Sequence, residues 1–168
     1  MHPKLFHATR NVLTVGETLV PRSPRVLTAA KVEIEEILES RRPVALTTRA
    51  QAYFASPSPA FVKWYCEREP STNTAKVVVC EVTMPHPTAH PMALTKAIAR
   101  FITNPNVARE IADEYWSPKD TWMCVEYIDF EMTVIAQLDV SIATQGARVN
   151  YSKDFTTISN RWPRNAKS

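Results

Sequence analysis

Short blocks of apolar residues punctuate this chain, and the spacing inside each block predicts an element. Leu5 and Phe6 open a strand over residues 4–7, and Leu19 with Val20 extends a second short strand up to Pro21. Residues 22–27 are a basic, proline-containing turn carrying Arg22 and Arg25. Over residues 28–41, Val32, Ile34, Ile37 and Leu38 give a partly amphipathic helix that Thr28 is placed to cap. Glu33, Glu35, Glu36 and Glu39 form its solvated acidic side. Residues 43–47 predict a short buried strand, and Thr47 or Thr48 caps a brief helix running through Gln51 and Phe54. Ser58-Pro59 starts another helix, with proline at the first position, where its missing N–H is no loss. Phe61, Trp64 and Tyr65 share one face of it as an aromatic core stripe.

Farther on, residues 77–82 are a run rich in β-branched side chains and predict a buried strand. The prolines of residues 85–91 exclude a regular helix and predict a loop. Residues 92–102 form a helix with Leu94, Ile98, Phe101 and Ile102 facing inward. Asn104-Pro105 ends it and starts the next, in which Val107, Ile111 and Tyr115 repeat every four residues. Residues 121–128 and 132–138 read as two strands, joined as a hairpin across Asp129-Phe130. The stretch 147–158 has weak β character and runs into a polar tail from about residue 159, with Arg161, Arg164 and Lys167. Strands interleaved with short helices and closed by a hairpin predict an α+β fold rather than a regular βαβ series. Without internal repeat or linker, residues 1–168 are expected to be a single domain.

Composition narrows the chemistry. Two glycines against thirteen prolines exclude a Walker loop, a glycine-rich dinucleotide fingerprint and a Gly-x-Ser-x-Gly nucleophile elbow. Any nucleotide site must be built another way. The net charge of +3 is too small to argue for a nucleic-acid groove. No apolar run approaches membrane-spanning length. The start Met1-His2-Pro3-Lys4 is not a signal peptide, and Cys66, Cys80 and Cys124 are odd in number and far apart. Together these fit a cytoplasmic protein with buried thiols, in a host cytoplasm if the chain is phage-encoded. His86 and His90 stand four apart, but their prolines and the absence of nearby acidic or Cys partners make them loop residues, and no metal is expected.

Three stretches carry candidate chemistry. In Leu5-Phe-His-Ala-Thr-Arg-Asn-Val-Leu13, followed by Val15-Gly-Glu-Thr-Leu19, an apolar strand runs into a lone histidine and then a turn at Gly16. A histidine at the mouth of a strand can present a ring nitrogen to a ligand; the plainer reading is a strand with one polar residue near its end. The stretch resembles the first strand of the ADP-ribosyltransferase fold, in particular that of small rifampin-type ADP-ribosyltransferases and RNA 2′-phosphotransferases. Those read roughly Tyr-His-Gly-Thr, with a later Gly-x-x-Leu-x-Pro turn, here Gly16 to Pro21. The likeness covers roughly residues 5–138 and implies a split pair of small β-sheets with interspersed short helices.

It also implies an activity: transfer of ADP-ribose from NAD to an acceptor, with release of nicotinamide. By resemblance, His7 is the catalytic histidine that bonds the ribose 2′-hydroxyl. Ala8 stands where the family has glycine, and its backbone would bond the nicotinamide amide. Thr9 and Arg10 would help hold the adenosine or the pyrophosphate; the alternative for Arg10 is a solvated charge. Val44-Ala-Leu-Thr-Thr-Arg-Ala-Gln-Ala-Tyr-Phe54 is similar to a family segment in which a strand reading Ile-Tyr-Phe-Thr or Ile-Tyr-Phe-Ala precedes a short helix. In that match the strand tyrosine falls at Ala45 and is missing, and Thr47 joins the residues that contact NAD. Tyr53 would correspond to a second tyrosine, which stacks on nicotinamide in poly(ADP-ribose) polymerases, or else belongs to the core.

Trp122-Met-Cys-Val-Glu126-Tyr-Ile-Asp-Phe-Glu131-Met-Thr-Val-Ile135 resembles the closing hairpin that bears the catalytic glutamate. Glu126 stands among apolar neighbours, where a carboxylate is costly unless paired or functional. The alternative is an edge-strand surface charge, with Glu81 as the runner-up carboxylate. Asp129 and Glu131 read as turn residues. Cys124 would share a face with Glu126; families that modify arginine often carry a second glutamate there, and its absence argues against arginine as acceptor. The acceptor is otherwise open among a protein side chain, a nucleic-acid base or phosphate, and a small molecule. Two other readings stand beside this one: a catalytically degenerate NAD- or nucleotide-binding member, suggested by Ala45, and a small non-enzymatic interaction or inhibitor protein of phage or mobile-element type.

Overall fold

The computed structural model describes residues 3–20, 27–138 and 141–163. The turn with Arg22 and Arg25 and the tail residues Arg164 and Lys167 lie outside them. Two antiparallel sheets form the frame. One has four strands in the order β1 (Leu5–Thr9), β4 (Val78–Thr83), β7 (Met132–Leu138), β2 (Thr18–Leu19). The other has three, in the order β3 (Tyr53–Ala55), β6 (Val125–Asp129), β5 (Thr88–Pro91). A bridge joins them where Phe6 and Ser56 exchange backbone hydrogen bonds of 2.8 and 2.9 Å. Among the described residues five helices pack around this frame: α1 (Ala29–Arg41), α2 (Pro59–Arg68), α3 (Ala93–Arg100), α4 (Pro105–Trp116) and α5 (Gln145–Arg161). The fold is therefore α+β with two small sheets.

Local signals explain several boundaries. Ser58 accepts the Phe61 N–H at 3.2 Å, and Asn104 accepts that of Val107 at 3.3 Å, each directly before a first-turn proline. Thr28 holds the N-cap position of α1 but makes no side-chain bond there. Gly16 turns the chain with φ +87°, a conformation that favours glycine, and its N–H reaches the Val134 carbonyl at 2.8 Å.

Five expectations are corrected. Residues 43–47 form a turn, because no strand pairs with them and Val44 is 97% exposed. The brief helix at 49–51 is a single 3-10 turn, and Tyr53 and Phe54 leave it to form β3. The proline-rich loop contains β5, which pairs with β6 from Thr88↔Ile128 to Pro91↔Val125; an edge strand tolerates proline because one row of N–H groups has no partner to serve. Residues 147–158 belong to the helix α5, whose Ala147, Tyr151, Asp154 and Ile158 repeat at helical spacing on its inward face.

The expected hairpin across Asp129-Phe130 is also absent, since β6 and β7 belong to different sheets. Buried Asp129 accepts the N–H groups of Phe130 at 2.7 Å and His86 at 2.5 Å, and so fixes the corner where the chain changes sheets. The main core, with Leu38, Leu94, Ile98, Ile111, Tyr115, Ile128 and Ile158, seats the helices on the three-stranded sheet. A second core, with Leu5, Cys80, Val82, Met132 and Val134, belongs to the four-stranded sheet. The junction of the sheets brings His7 on β1 and Glu126 on β6 to one place. No helix among the described residues is long and apolar enough to cross a membrane.

Candidate functional site

A cavity of about 230 Å³ opens at that junction. β1 contributes His7 and Ala8, and β3 contributes Phe54 and Ala55. Phe61 and Tyr65 of α2 supply flat apolar walls, with Met92 beside them. Lys31 and Glu35 of α1, Arg49, Glu69, Lys96 and Glu126 supply the charge.

His7 enters with a defined tautomer. Its Nδ1–H donates to the Phe54 carbonyl at 2.7 Å, which leaves Nε2 as an acceptor with no partner among the described residues. Burial lowers its pKa below the ordinary 6.5, more than the Phe54 carbonyl raises it, so the ring is neutral at pH 7.

Glu126 is 3% exposed. Its Oε1 accepts from the Tyr115 hydroxyl at 2.7 Å and from the Arg49 guanidinium, whereas its Oε2 is buried with no hydrogen-bond partner. Arg49 donates from Nε to Glu35 at 3.0 Å and from Nη1 to both Glu126 and the Tyr115 oxygen. Its guanidinium carbon lies 4.8 Å from the Phe54 ring centre and 5.0 Å from that of Tyr115. Burial opposes the Arg49 charge, but Glu126, Tyr115 and Glu35 outweigh it and hold the group protonated. Tyr115 keeps its proton because it is buried and faces Glu126, which more than offsets the pull of Arg49. Behind it, the His90 ring stacks on Tyr115 at 4.8 Å and donates from Nδ1 to the Tyr115 carbonyl at 3.0 Å.

At the rim, half-exposed Lys31 and Lys96 share Glu69 of the α2 terminus, Lys31 in direct contact and Lys96 at 3.6 Å. Burial opposes the Glu69 charge, but Lys31 leads the groups that hold its pKa below the ordinary carboxylate value. The Tyr65 hydroxyl, raised by burial and then by Glu69, stays protonated.

Three of the residues singled out in the sequence line this cavity: His7, Ala8 and Glu126. The others do not. Tyr53 packs against the second core. Thr9 accepts the Asn11 N–H at 3.1 Å, and Thr47 sits in the turn before Arg49. Arg10 donates to the carbonyls of Ala75 at 2.9 Å and Cys66 at 3.3 Å, so it braces the end of β1. Glu81 pairs with Lys4 at 2.9 Å away from the cavity. Cys124 is buried, and burial followed by Asp154 pushes its thiol up to about 12.

Arg49, Tyr65 and Glu35 were missed. A signal for Glu35 was present: Lys31, Ile34, Glu35 and Leu38 fall at i, i+3, i+4 and i+7, one inward stripe, while Val32 is 40% exposed. Arg49 has no such signal, since a charged residue in a short turn reads as solvated. Among the described residues no group of His, Cys, Asp and Glu is arranged to hold a metal ion. Compared with models of known protein families and with curated protein sequences, the chain matches none.

Proposed function

We propose that this cavity binds the nicotinamide end of NAD and that the protein transfers ADP-ribose to an acceptor, releasing nicotinamide. The observation that carries this reading is the convergence of an acceptor-ready His7 and a buried Glu126 oxygen without a partner on one aromatic-walled cavity. The cavity is smaller than the roughly 300–1,000 Å³ typical of whole-ligand pockets. That suits enclosure of a nicotinamide riboside end, with the rest of the dinucleotide outside past Lys31 and Lys96.

Placement of β3 adds support. Ala52-Tyr53-Phe54-Ala55 follows the Ile-Tyr-Phe-Ala strand pattern and is itself strand at Tyr53–Ala55. On this reading the pattern's tyrosine aligns with Tyr53 rather than Ala45, although the Tyr53 ring packs against the second core outside the cavity. Tyr65 and Phe54, not Tyr53, offer ring faces to a nicotinamide.

In the reaction the C–N glycosidic bond breaks and nicotinamide leaves with the bonding electrons. An acceptor nucleophile attacks the anomeric carbon and gives up its proton to solvent. His7 Nε2 accepts a ribose hydroxyl. Glu126 Oε2 accepts the other or faces the positive charge that develops on the sugar.

One observation favours a second reading. Arg49 already balances the Glu126 charge, which suits a member that binds NAD without turning it over. Titration with NAD, followed by assay of nicotinamide release with cell lysate as acceptor source, separates the two. Binding with release supports transfer, binding without release supports the degenerate binder, and no binding removes both.

A further inference from the structure

We infer that Arg49, braced by Tyr115, is a positioning residue that locks one oxygen of Glu126 and thereby aims the other at the cavity. This rests on the proposed reading of the site and assigns Arg49, which lines the cavity beside Glu126, the role of holding that carboxylate.

A carboxylate at the end of three rotatable bonds has no reason to keep one oxygen free. In a buried site it would rotate to share its donors. Here both donors converge on Oε1: the Tyr115 hydroxyl at 2.7 Å and the Arg49 guanidinium. The two donors are themselves bonded, Arg49 Nη1 to the Tyr115 oxygen. Three atoms from three elements therefore close a small network around one carboxylate oxygen.

Each donor is fixed from behind. Arg49 is held by Glu35 on α1 and lies over the Phe54 ring. Tyr115 is fully buried and stacked against His90, whose ring bonds the Tyr115 carbonyl and Thr88. His90 is also the direct cross-strand partner of Glu126. The backbone that carries the carboxylate and the ring that holds its donor are thus tied to the same strand pair. Oε2, buried and without a partner, is what the lock leaves over. An unmet acceptor in a dry site is costly, and a hydrogen-bond donor on a ligand relieves that cost.

The lock also sets what the site accepts. With Arg49 against it, Glu126 has its charge balanced. The free oxygen then favours a neutral donor such as a hydroxyl over a cationic group. A primary amine or guanidine entering the cavity would meet Arg49 with like charge. Ionisable groups around Glu126 are Arg49 from the 3-10 turn, Tyr115 from α4, His90 from β5, and Tyr65 and Tyr151 from α2 and α5, with His7 of β1 on the same cavity and Glu35 reached through Arg49.

The test uses Arg49→Met, Arg49→Lys, Tyr115→Phe and the double variant Arg49→Met/Glu126→Gln. The double variant removes both charges together and keeps the fold accessible if the first does not fold. NAD hydrolysis and ADP-ribose transfer are measured from pH 5.5 to 9. Arg49→Met is expected to lower kcat by about thirtyfold or more, with a smaller change in KM, and to make turnover rise with pH, because a buried carboxylate without its cation takes up a proton more readily. Arg49→Lys keeps the charge but not the paired geometry, and is expected to restore the wild-type pH profile while kcat stays low. Tyr115→Phe should lower kcat severalfold with an unchanged profile.

Folded variants with the wild-type kcat and profile would overturn the inference. So would an Arg49→Met protein whose kcat falls at an unchanged pH profile, the pattern of a merely structural arginine. If the wild type shows no turnover, the transfer reading fails separately. The lock is then read from the Glu126 carboxyl carbon by ¹³C NMR. A titration midpoint higher in Arg49→Met than in the wild type supports it, and coincident curves overturn it.

Discussion

Removing Arg49 should destabilise the protein out of proportion to the size of one side chain. Arg49 and Glu126 are 4% and 3% exposed, so neither can regain water when its partner is deleted. Arg49→Met leaves Glu126 as a buried carboxylate with one bond from Tyr115, and leaves Glu35 without its guanidinium. Breaking a buried pair from one side costs about 3–5 kcal/mol. Against a stability of about 5–15 kcal/mol for a domain, that is a large share. At about 2–4 °C per kcal/mol for a chain of this size, Tm should fall by roughly 6–20 °C. Glu126→Gln removes the charge but keeps an acceptor for Tyr115, so it should cost less. The double variant removes both charges of the Arg49–Glu126 pair, so although Glu35 still loses its guanidinium, the loss should be smaller than the sum of the two single losses by about 1–3 kcal/mol. Urea unfolding followed by tryptophan fluorescence measures all four proteins, because Trp116 and Trp122 are buried in the main core. An Arg49→Met protein within about 1 kcal/mol of wild type, or strict additivity in the cycle, would refute the reasoning.

Other outcomes follow from the same geometry. Tyr65→Ala should weaken NAD binding by about 1 kcal/mol or somewhat more by calorimetry, while Tyr53→Ala should leave it unchanged and lower stability instead; the reverse pattern would return the stacking role to Tyr53. The His7 pKa is lower in the folded chain than in the unfolded one, so its contribution to stability is complete above about 6.5 and is lost as pH falls through the folded value. His7→Asn should therefore flatten part of the decline in stability below pH 6.5, with His90 supplying another part, and an unchanged slope contradicts the assignment. Gly16→Ala meets no atom within 4 Å but must hold φ +87°, so urea unfolding should show a loss of about 1–2 kcal/mol from backbone strain alone.

What the sequence disclosed, and what it hid, divides along physical lines. Ser58-Pro59 and Asn104-Pro105 mark their helices because capping and proline geometry are properties of neighbouring residues. β5 was hidden because its Thr88–Pro91 backbone is extended only by pairing with β6, a contact far along the chain. α5 was obscured by Val149, Thr156, Thr157 and Ile158, whose β-branched side chains suggest strand until Ala147, Tyr151, Asp154 and Ile158 are counted at helical spacing. The same division holds in the site. Glu126 stood out as a carboxylate inside an apolar strand, and His7 as a histidine at a strand's end. Arg49 did not, since only the folded chain shows that its turn is covered by α1, α4 and β6. Tyr53 takes the core position that was its alternative, and Tyr65 holds its expected place in the aromatic stripe with Phe61 and Trp64 while also lining the cavity.

Glu126 tests the central claim most directly, through a substitution that keeps its shape. Glu126→Gln retains the acceptor oxygen but removes the charge that would face the sugar as the glycosidic bond breaks. A group that acts mainly in that transition state contributes to turnover more than to binding. The measurement is nicotinamide release at saturating NAD, with acceptor present, for wild type and Glu126→Gln, alongside NAD affinity for both. The account predicts nearly equal affinities and a turnover at least about a hundredfold lower in the variant, the scale of a lost electrostatic stabiliser. Equal rates of release from the two proteins would contradict it.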